Sequence, residues 1–239
     1  VDIAYHVDKF RRGFERVIDV QGADHAEEQQ QVKLALKILG YPEDFLHYCV
    51  HQFVTLKGGE GVEKMSTRAG HFIRLGDLIR ELGRDVVRYF MVRRKPESHL
   101  IFDYELAKKT SMENPVYYVQ YAHTRIASIF REAEKAGEPV TRHVLWGTDL
   151  SPLTDPDELA LIKELDRFPD VVLQASEFAP HLLCEYLEGV AGLFHPYYTR
   201  VRILGQGEAT PARLALLSGI QLVLRQGLSI LGVSAPEEM

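Results

Sequence analysis

The segment with the richest chemistry is Glu63-Lys64-Met65-Ser66-Thr67-Arg68-Ala69-Gly70, directly behind the glycine-rich Lys57-Gly58-Gly59-Glu60-Gly61. Those glycines predict a mobile loop rather than the interior of a helix or strand. A loop bearing Lys64, Ser66, Thr67 and Arg68 can close over a polyphosphate and donate charge-assisted hydrogen bonds as negative charge moves onto a leaving group. On composition alone, a solvated surface loop is the commoner outcome for such a string. The Gly-x-x-x-x-Gly-Lys-Ser/Thr pattern of a P-loop is absent.

A second group is aromatic and basic. Tyr117, Tyr118 and Tyr121 crowd near one helix start, with His123, Arg125 and Arg131 following, and Phe194-His195-Pro196-Tyr197-Tyr198-Thr199-Arg200-Val201-Arg202 repeats the mixture. Aromatic faces beside cations suit unpaired nucleic-acid bases, each stack being worth roughly 1–3 kcal/mol. The same spacing lets Tyr117 and Tyr121 simply pack as i, i+4 neighbours. Arg93-Arg94-Lys95 and Lys108-Lys109 are candidates for phosphate contacts, or equally for a solvated face. His47 and His51 have the spacing of metal ligands on a helix, but their surroundings read as a strand, and no metal is expected. Cys49 and Cys184 are too few and too far apart for a disulfide framework, which predicts a reducing compartment.

The elements that must position these groups change character along the chain. Val17 to Val20 is a short β-branched run entering a Gln21-Gly22 turn. Asp24 then offers a helix cap with Glu27 three residues on, followed by Val32, Ala35, Leu36 and Leu39 at helical spacing. Cys49 to Leu56 reads as another strand, which makes the first part an α/β layer. Leu75, Leu78, Ile79 and Leu82 form a helical stripe stopped by Gly83, and Val86, Tyr89 and Phe90 begin another. Beyond Asn114-Pro115 the pattern is helical: Val119 to Ala133, Leu183 to Phe194 after Pro180, and Leu216 to Leu231 after Thr210-Pro211, closed by Gly232. Gly137 to Pro156 reads as a long surface loop between helices of one bundle.

Composition bounds the rest. The 239 residues are 46% hydrophobic, enough to bury one large domain or two smaller ones and to argue against disorder. A net charge of −6 excludes a generally basic binder but leaves room for a local basic patch. No uninterrupted apolar run of about 18 residues occurs, and the opening Val1-Asp2-Ile3-Ala4 does not have the basic-then-apolar pattern of a signal peptide. A soluble, cytoplasmic monomer with no membrane partner is expected, as a whole protein or a piece of one.

Five stretches in order carry a resemblance: Asp2-Ile3-Ala4-Tyr5-His6, Gly22-Ala23-Asp24-His25, Lys64 to Gly70, Glu113 to His123, and Leu231-Gly232-Val233-Ser234-Ala235-Pro236. The chain resembles the arginyl-tRNA synthetases among class I aminoacyl-tRNA synthetases. The resemblance implies the second half of a Rossmann-like catalytic domain over residues 1–104, with stem-contact helices, followed by a helical-bundle anticodon-binding domain over 105–239. It also implies an arginine-tRNA ligase that uses ATP with Mg²⁺, L-arginine and arginine tRNA. Asp2 would face the arginine guanidinium, a fork that a carboxylate matches with two parallel hydrogen bonds, and His25 would line the amino-acid pocket. Lys64, Ser66 and Arg68 would act catalytically, Lys64, Met65 and Ser66 holding the ATP phosphates; Asn114, Tyr118, Tyr121, Tyr198 and Arg202 would contact tRNA.

Two departures qualify these implications. Thr67 stands where the Lys-Met-Ser-Lys-Ser signature has its second lysine, so Lys64, Arg68 and backbone N–H groups would carry the local charge. The family's His-Ile-Gly-His type signature would lie upstream of Asp2, and no such tetrapeptide is present. The 239 residues alone are therefore expected not to activate arginine. A non-catalytic tRNA-binding module and a helical protein-binding scaffold are the rival readings.

Overall fold

The computed structural model describes residues 1–58, 61–63 (backbone only), 74–138, 140 and 146–239. The chain falls into two compact units: Val1–Lys64 with Arg94–Phe102, and Met65–Arg93 with Asp103–Met239. Helices Leu75–Leu82 and Arg84–Val92 thus belong with the helical unit, while the strand at residue 100 belongs with the first.

The first unit opens with α1 (Asp2–Arg11), then β1 (Val17–Gly22), α2 (Ala26–Ile38) and β2 (Leu46–His51). β1 and β2 pair in parallel, Val17 opposite Leu46, with α2 as the crossover. Val17, Val32, Leu36, Phe45 and Leu46 form the buried cluster that holds this βαβ unit together. A second sheet orders its strands β4 (Gly61–Glu63), β3 (Val54–Gly58), β5 (Leu100–Asp103), with β3 and β4 antiparallel.

The expected run from Cys49 to Leu56 is therefore two strands in two sheets. The break falls at Gln52-Phe53, where the Gln52 amide donates to the Pro96 carbonyl at 3.0 Å. The capping box at Asp24 is also absent. Ala23–His25 forms a 3₁₀ turn that moves the helix start to Ala26, and the His25 ring meets Glu28 instead. α1 was not legible as a helix, because its inner side mixes the buried His6 with Val7 and Phe10, which pack toward the Phe45 cluster.

In the second unit α3 (Leu75–Leu82) ends at Gly83, whose φ of 85° favours glycine. Then follow α4 (Arg84–Val92), α5 (Tyr104–Lys108), α6 (Pro115–Lys135), α7 (Pro156–Asp166), α8 (Phe168–Ala175), α9 (Pro180–Arg200) and α10 (Ala209–Leu231). α6, α9 and α10 pack along one another, burying Val119, Ile126, Leu183, Leu187, Val190, Phe194, Leu217, Ile220 and Leu224. α10 is long and apolar enough to cross a membrane by length and composition, and half of that apolar window is buried inside this bundle.

Gly232 closes α10 in the left-handed conformation. The tail beyond it is stitched to two other helices. Arg84 donates to the Gly232 carbonyl at 2.9 Å and Arg88 to that of Leu231, while Asp85 accepts the Ser234 amide at 3.0 Å. From α6, Gln120 donates to the Ser234 carbonyl, and His123 and Thr124 both meet the Pro236 carbonyl, each at 2.9 Å.

Candidate functional site

The start of α6 fixes everything that projects from it. Asn114 is 2% exposed, and its side-chain oxygen accepts the Val116 amide at 3.2 Å. Its amide nitrogen donates to the carbonyls of Ala107 and Lys109 at 3.1 and 2.9 Å. A residue with its polar atoms so engaged caps the helix and anchors the α5–α6 link. Its place is inside the fold rather than on the surface where a base would dock.

From that start, Tyr117 and Tyr121 stack at 5.5 Å between ring centroids, and the Tyr121 and His195 rings lie 6.1 Å apart and nearly parallel. Tyr118 lies 4.6 Å from His195, and Tyr198 lies 5.8 Å from Phe194. The Arg125 guanidinium sits over two rings, 4.4 Å from Tyr121 and 5.0 Å from Tyr198. The two aromatic stretches read in the sequence are thus one half-buried ladder shared by α6 and α9, with Arg125 as its cation. Tyr197, in contrast, points into the core, donating its hydroxyl to buried Glu158 at 3.2 Å.

His195 has a defined tautomer. Its Nε2 is 3.1 Å from the Tyr118 carbonyl, which can only accept, so Nε2 carries the hydrogen and the Nδ1 lone pair faces Arg125 at 3.4 Å. Burial first, and the neighbouring Arg125 charge, hold its pKa below the ordinary imidazole value. The ring is a neutral strut between the two helices.

The basic candidates separate. Arg93 is folded onto Glu188 through two hydrogen bonds of 2.6 and 2.8 Å, and the same carboxylate takes the Tyr89 hydroxyl. Arg200 binds Asp155 and Asp157 at the start of α7, holding the Asp155 carboxyl down to about 2. Arg202 is exposed, and its carbonyl accepts from Arg213 at 2.9 Å. Lys108 and Lys109 line a cavity of about 640 Å³ together with Thr110, Tyr117 and Met239. Within the fold they pair with Glu81 and Glu113.

The first unit carries a second, smaller cavity of about 320 Å³. Asp2, Tyr5, His6 and Lys9, at i, i+3, i+4 and i+7, present one polar face of α1 to it, opposite Asp19 and Gln21 of β1 and Tyr48 of β2. Gln21 Oε1 is buried without a hydrogen-bond partner among the described residues. Burial, then the charges of Asp19, Asp2 and Glu28, push the Tyr48 hydroxyl up to about 12. Asp2 is therefore in the cavity wall. His25 is exposed and does not line the cavity, but its Nδ1 lies 3.0 Å from Glu28, which does. Gln21 and Tyr48 escaped the sequence reading; the polar stripe on α1 was the signal that could have found their neighbourhood.

Lys64, Met65, Ser66, Thr67 and Arg68 lie outside the described residues. Among the described residues no cluster of histidine, cysteine and carboxylate groups has the makings of a metal site. Both cysteines are free, and burial raises the Cys184 thiol to about 12, leaving it a small core side chain.

Over its whole length the chain is 49% identical to an arginine–tRNA ligase of Geobacter metallireducens and 44% identical to one of Thermotoga maritima. It spans 43% of the length of each. A crystal structure described as an arginyl-tRNA synthetase of Campylobacter jejuni superposes with a TM-score of 0.88 at 31% identity, over all of this chain and 51% of that one. The arginyl-tRNA synthetase of Thermus thermophilus gives 0.71 at 28% identity, over 94% of this chain and 41% of that one. Residues 119–239, which hold α6 from Val119 on, α7 to α10 and the ladder beyond Tyr118, match the model of the DALR anticodon binding domain. That match covers half of the chain and the whole aromatic site beyond Tyr118, and the chain belongs to the DALR anticodon binding domain family.

Proposed function

We propose that this chain is the C-terminal part of an arginine–tRNA ligase, joining L-arginine to its tRNA through arginyl-adenylate at the expense of ATP. The observation that carries this reading is the α6–α9 ladder inside the matched domain. Its rings and clamped guanidinium offer stacking faces and positive charge to splayed anticodon bases. Tyr118, Tyr121 and Tyr198 are the contacts assigned there, with exposed Arg202 toward phosphate; Asn114 holds the start of α6 in place.

The cavity on the first unit suits the amino acid. A guanidinium brings five donors and a fixed positive charge. The Asp2 carboxylate and the Gln21 oxygen, which has no partner among the described residues, supply what those donors need. Lys64, Ser66 and Arg68, with Met65, would hold the phosphates of ATP, which arrives with Mg²⁺ as counter-ion. The protein would work as a cytoplasmic monomer.

Two measurements test this. Binding of arginine tRNA to the chain must weaken steeply as salt rises, because phosphate contacts release counterions; a salt-independent shift would remove the tRNA reading. The 239 residues alone must fail in arginine-dependent ATP–pyrophosphate exchange, since they hold no His-Ile-Gly-His type tetrapeptide. Robust exchange would overturn that part.

A further inference from the structure

We propose that His6 is a positioning residue for the amino-acid cavity: its ring ties the first turn of α1, and with it Asp2, to Asp19 of β1. The inference rests on reading that cavity as the arginine site.

The His6 ring, 2% exposed, supplies two anchors. Nδ1 lies 2.7 Å from the carbonyl of Asp2, and Nε2 lies 2.8 Å from Oδ2 of Asp19. One turn on, Lys9 Nζ reaches Oδ1 of the same Asp19 at 3.1 Å and lies 4.5 Å from the centre of the Tyr5 ring. A carbonyl and a carboxylate both only accept, so each ring nitrogen faces an acceptor, and the two oxygens of Asp19 are engaged by His6 and Lys9.

The consequence is a division of labour between two carboxylates in one cavity. Asp19 is consumed by His6 and Lys9 and acts as the internal tether. Asp2, whose side chain takes part in neither anchor, is left for the ligand. Its carboxylate must meet a planar fork edge-on, so a shift of the first turn costs two hydrogen bonds at once.

The test uses the complete ligase that contains this chain, assayed by aminoacylation. His6→Ala is expected to raise the KM for arginine about tenfold, equivalent to about 1.4 kcal/mol, with the KM for ATP changed less than about twofold. His6→Gln, which keeps an N–H donor near the Nε2 position, should recover part of that loss. Asp19→Asn preserves volume and should reproduce the selective rise, which guards against a His6 variant that fails to fold. An unchanged arginine KM in both His6→Ala and Asp19→Asn overturns the proposal, as does a parallel rise in both KM values, which would mean general loosening. If the unaltered ligase does not charge arginine tRNA, the parent reading fails, and this one with it.

Discussion

Arg125 is the group on which the ladder turns, and its removal gives the sharpest test of the interface. Its guanidinium lies over two half-exposed rings, at 4.4 and 5.0 Å. At about 0.5–1 kcal/mol for each such contact, Arg125→Gln forfeits about 1–2 kcal/mol of order in Tyr121 and Tyr198. It also removes a cation from the surface proposed to face nucleic acid. If that order is recovered on tRNA binding, affinity falls about 5- to 30-fold. The slope of log affinity against log salt becomes shallower by about one. The assay is fluorescence anisotropy with arginine tRNA over a series of potassium chloride concentrations, with thermal unfolding measured in parallel. Arg167→Gln, which breaks an exposed pair with Glu164 in α7, is the matched control and should leave binding unchanged. An Arg125→Gln protein that folds, binds within twofold of the parent and keeps the parent salt slope would refute the assignment of this face.

Other expectations concern stability. His123 and His195 both have pKa values lowered chiefly by burial. The unfolded chain therefore binds more protons than the native one below the unfolded value of about 6.5. Their contribution is complete above that pH and is lost as pH falls through the lowered native values. The midpoint of unfolding should drop from pH 7 to pH 5, less so in His123→Gln; an equal drop would exclude that ring. Gly227→Ala places a Cβ 2.6 Å from Leu187 Cδ2 where α9 meets α10, so it should destabilise by up to about 2 kcal/mol despite the better helix former. Gly189→Ala, in open space on α9, should stabilise by about 0.5–1 kcal/mol, and urea denaturation distinguishes the two signs. Asn114→Ala should cost about 2 kcal/mol by the same measurement, since a cap is lost and two buried carbonyls lose their donor.

What was legible in the sequence follows from how local each signal is. Asn114-Pro115, Gly83 and Gly232 mark helix boundaries by backbone chemistry that needs no tertiary context, and the helices start and stop there. The ladder was half legible. The tyrosines and Arg125 were visible as a cluster, but the cation's place between Tyr121 and Tyr198 depends on α6 and α9 meeting, which spacing alone does not give. α1 was illegible for a physical reason. Its one buried residue is His6, and the apolar contacts beside it come from Val7 and Phe10, which pack toward the Phe45 cluster, so a search for apolar periodicity finds too short a stripe. Asn114, read as a tRNA contact, shows the converse: sequence places a residue near a site without saying which way its amide turns.

The stitching of the tail onto α4 and α6 has a consequence for synthesis. Gln120, His123 and Thr124 are buried polar groups in the middle of the central helix, and their partners are the carbonyls of Ser234 and Pro236. A ribosome must therefore add more than a hundred residues after α6 before that helix can bury this face without unpaired donors. α6 can form early as a coil of hydrogen-bonded backbone, but its docking belongs to the last stage of translation. Until then these three polar side chains stay open to solvent and to any factor that shelters nascent chains.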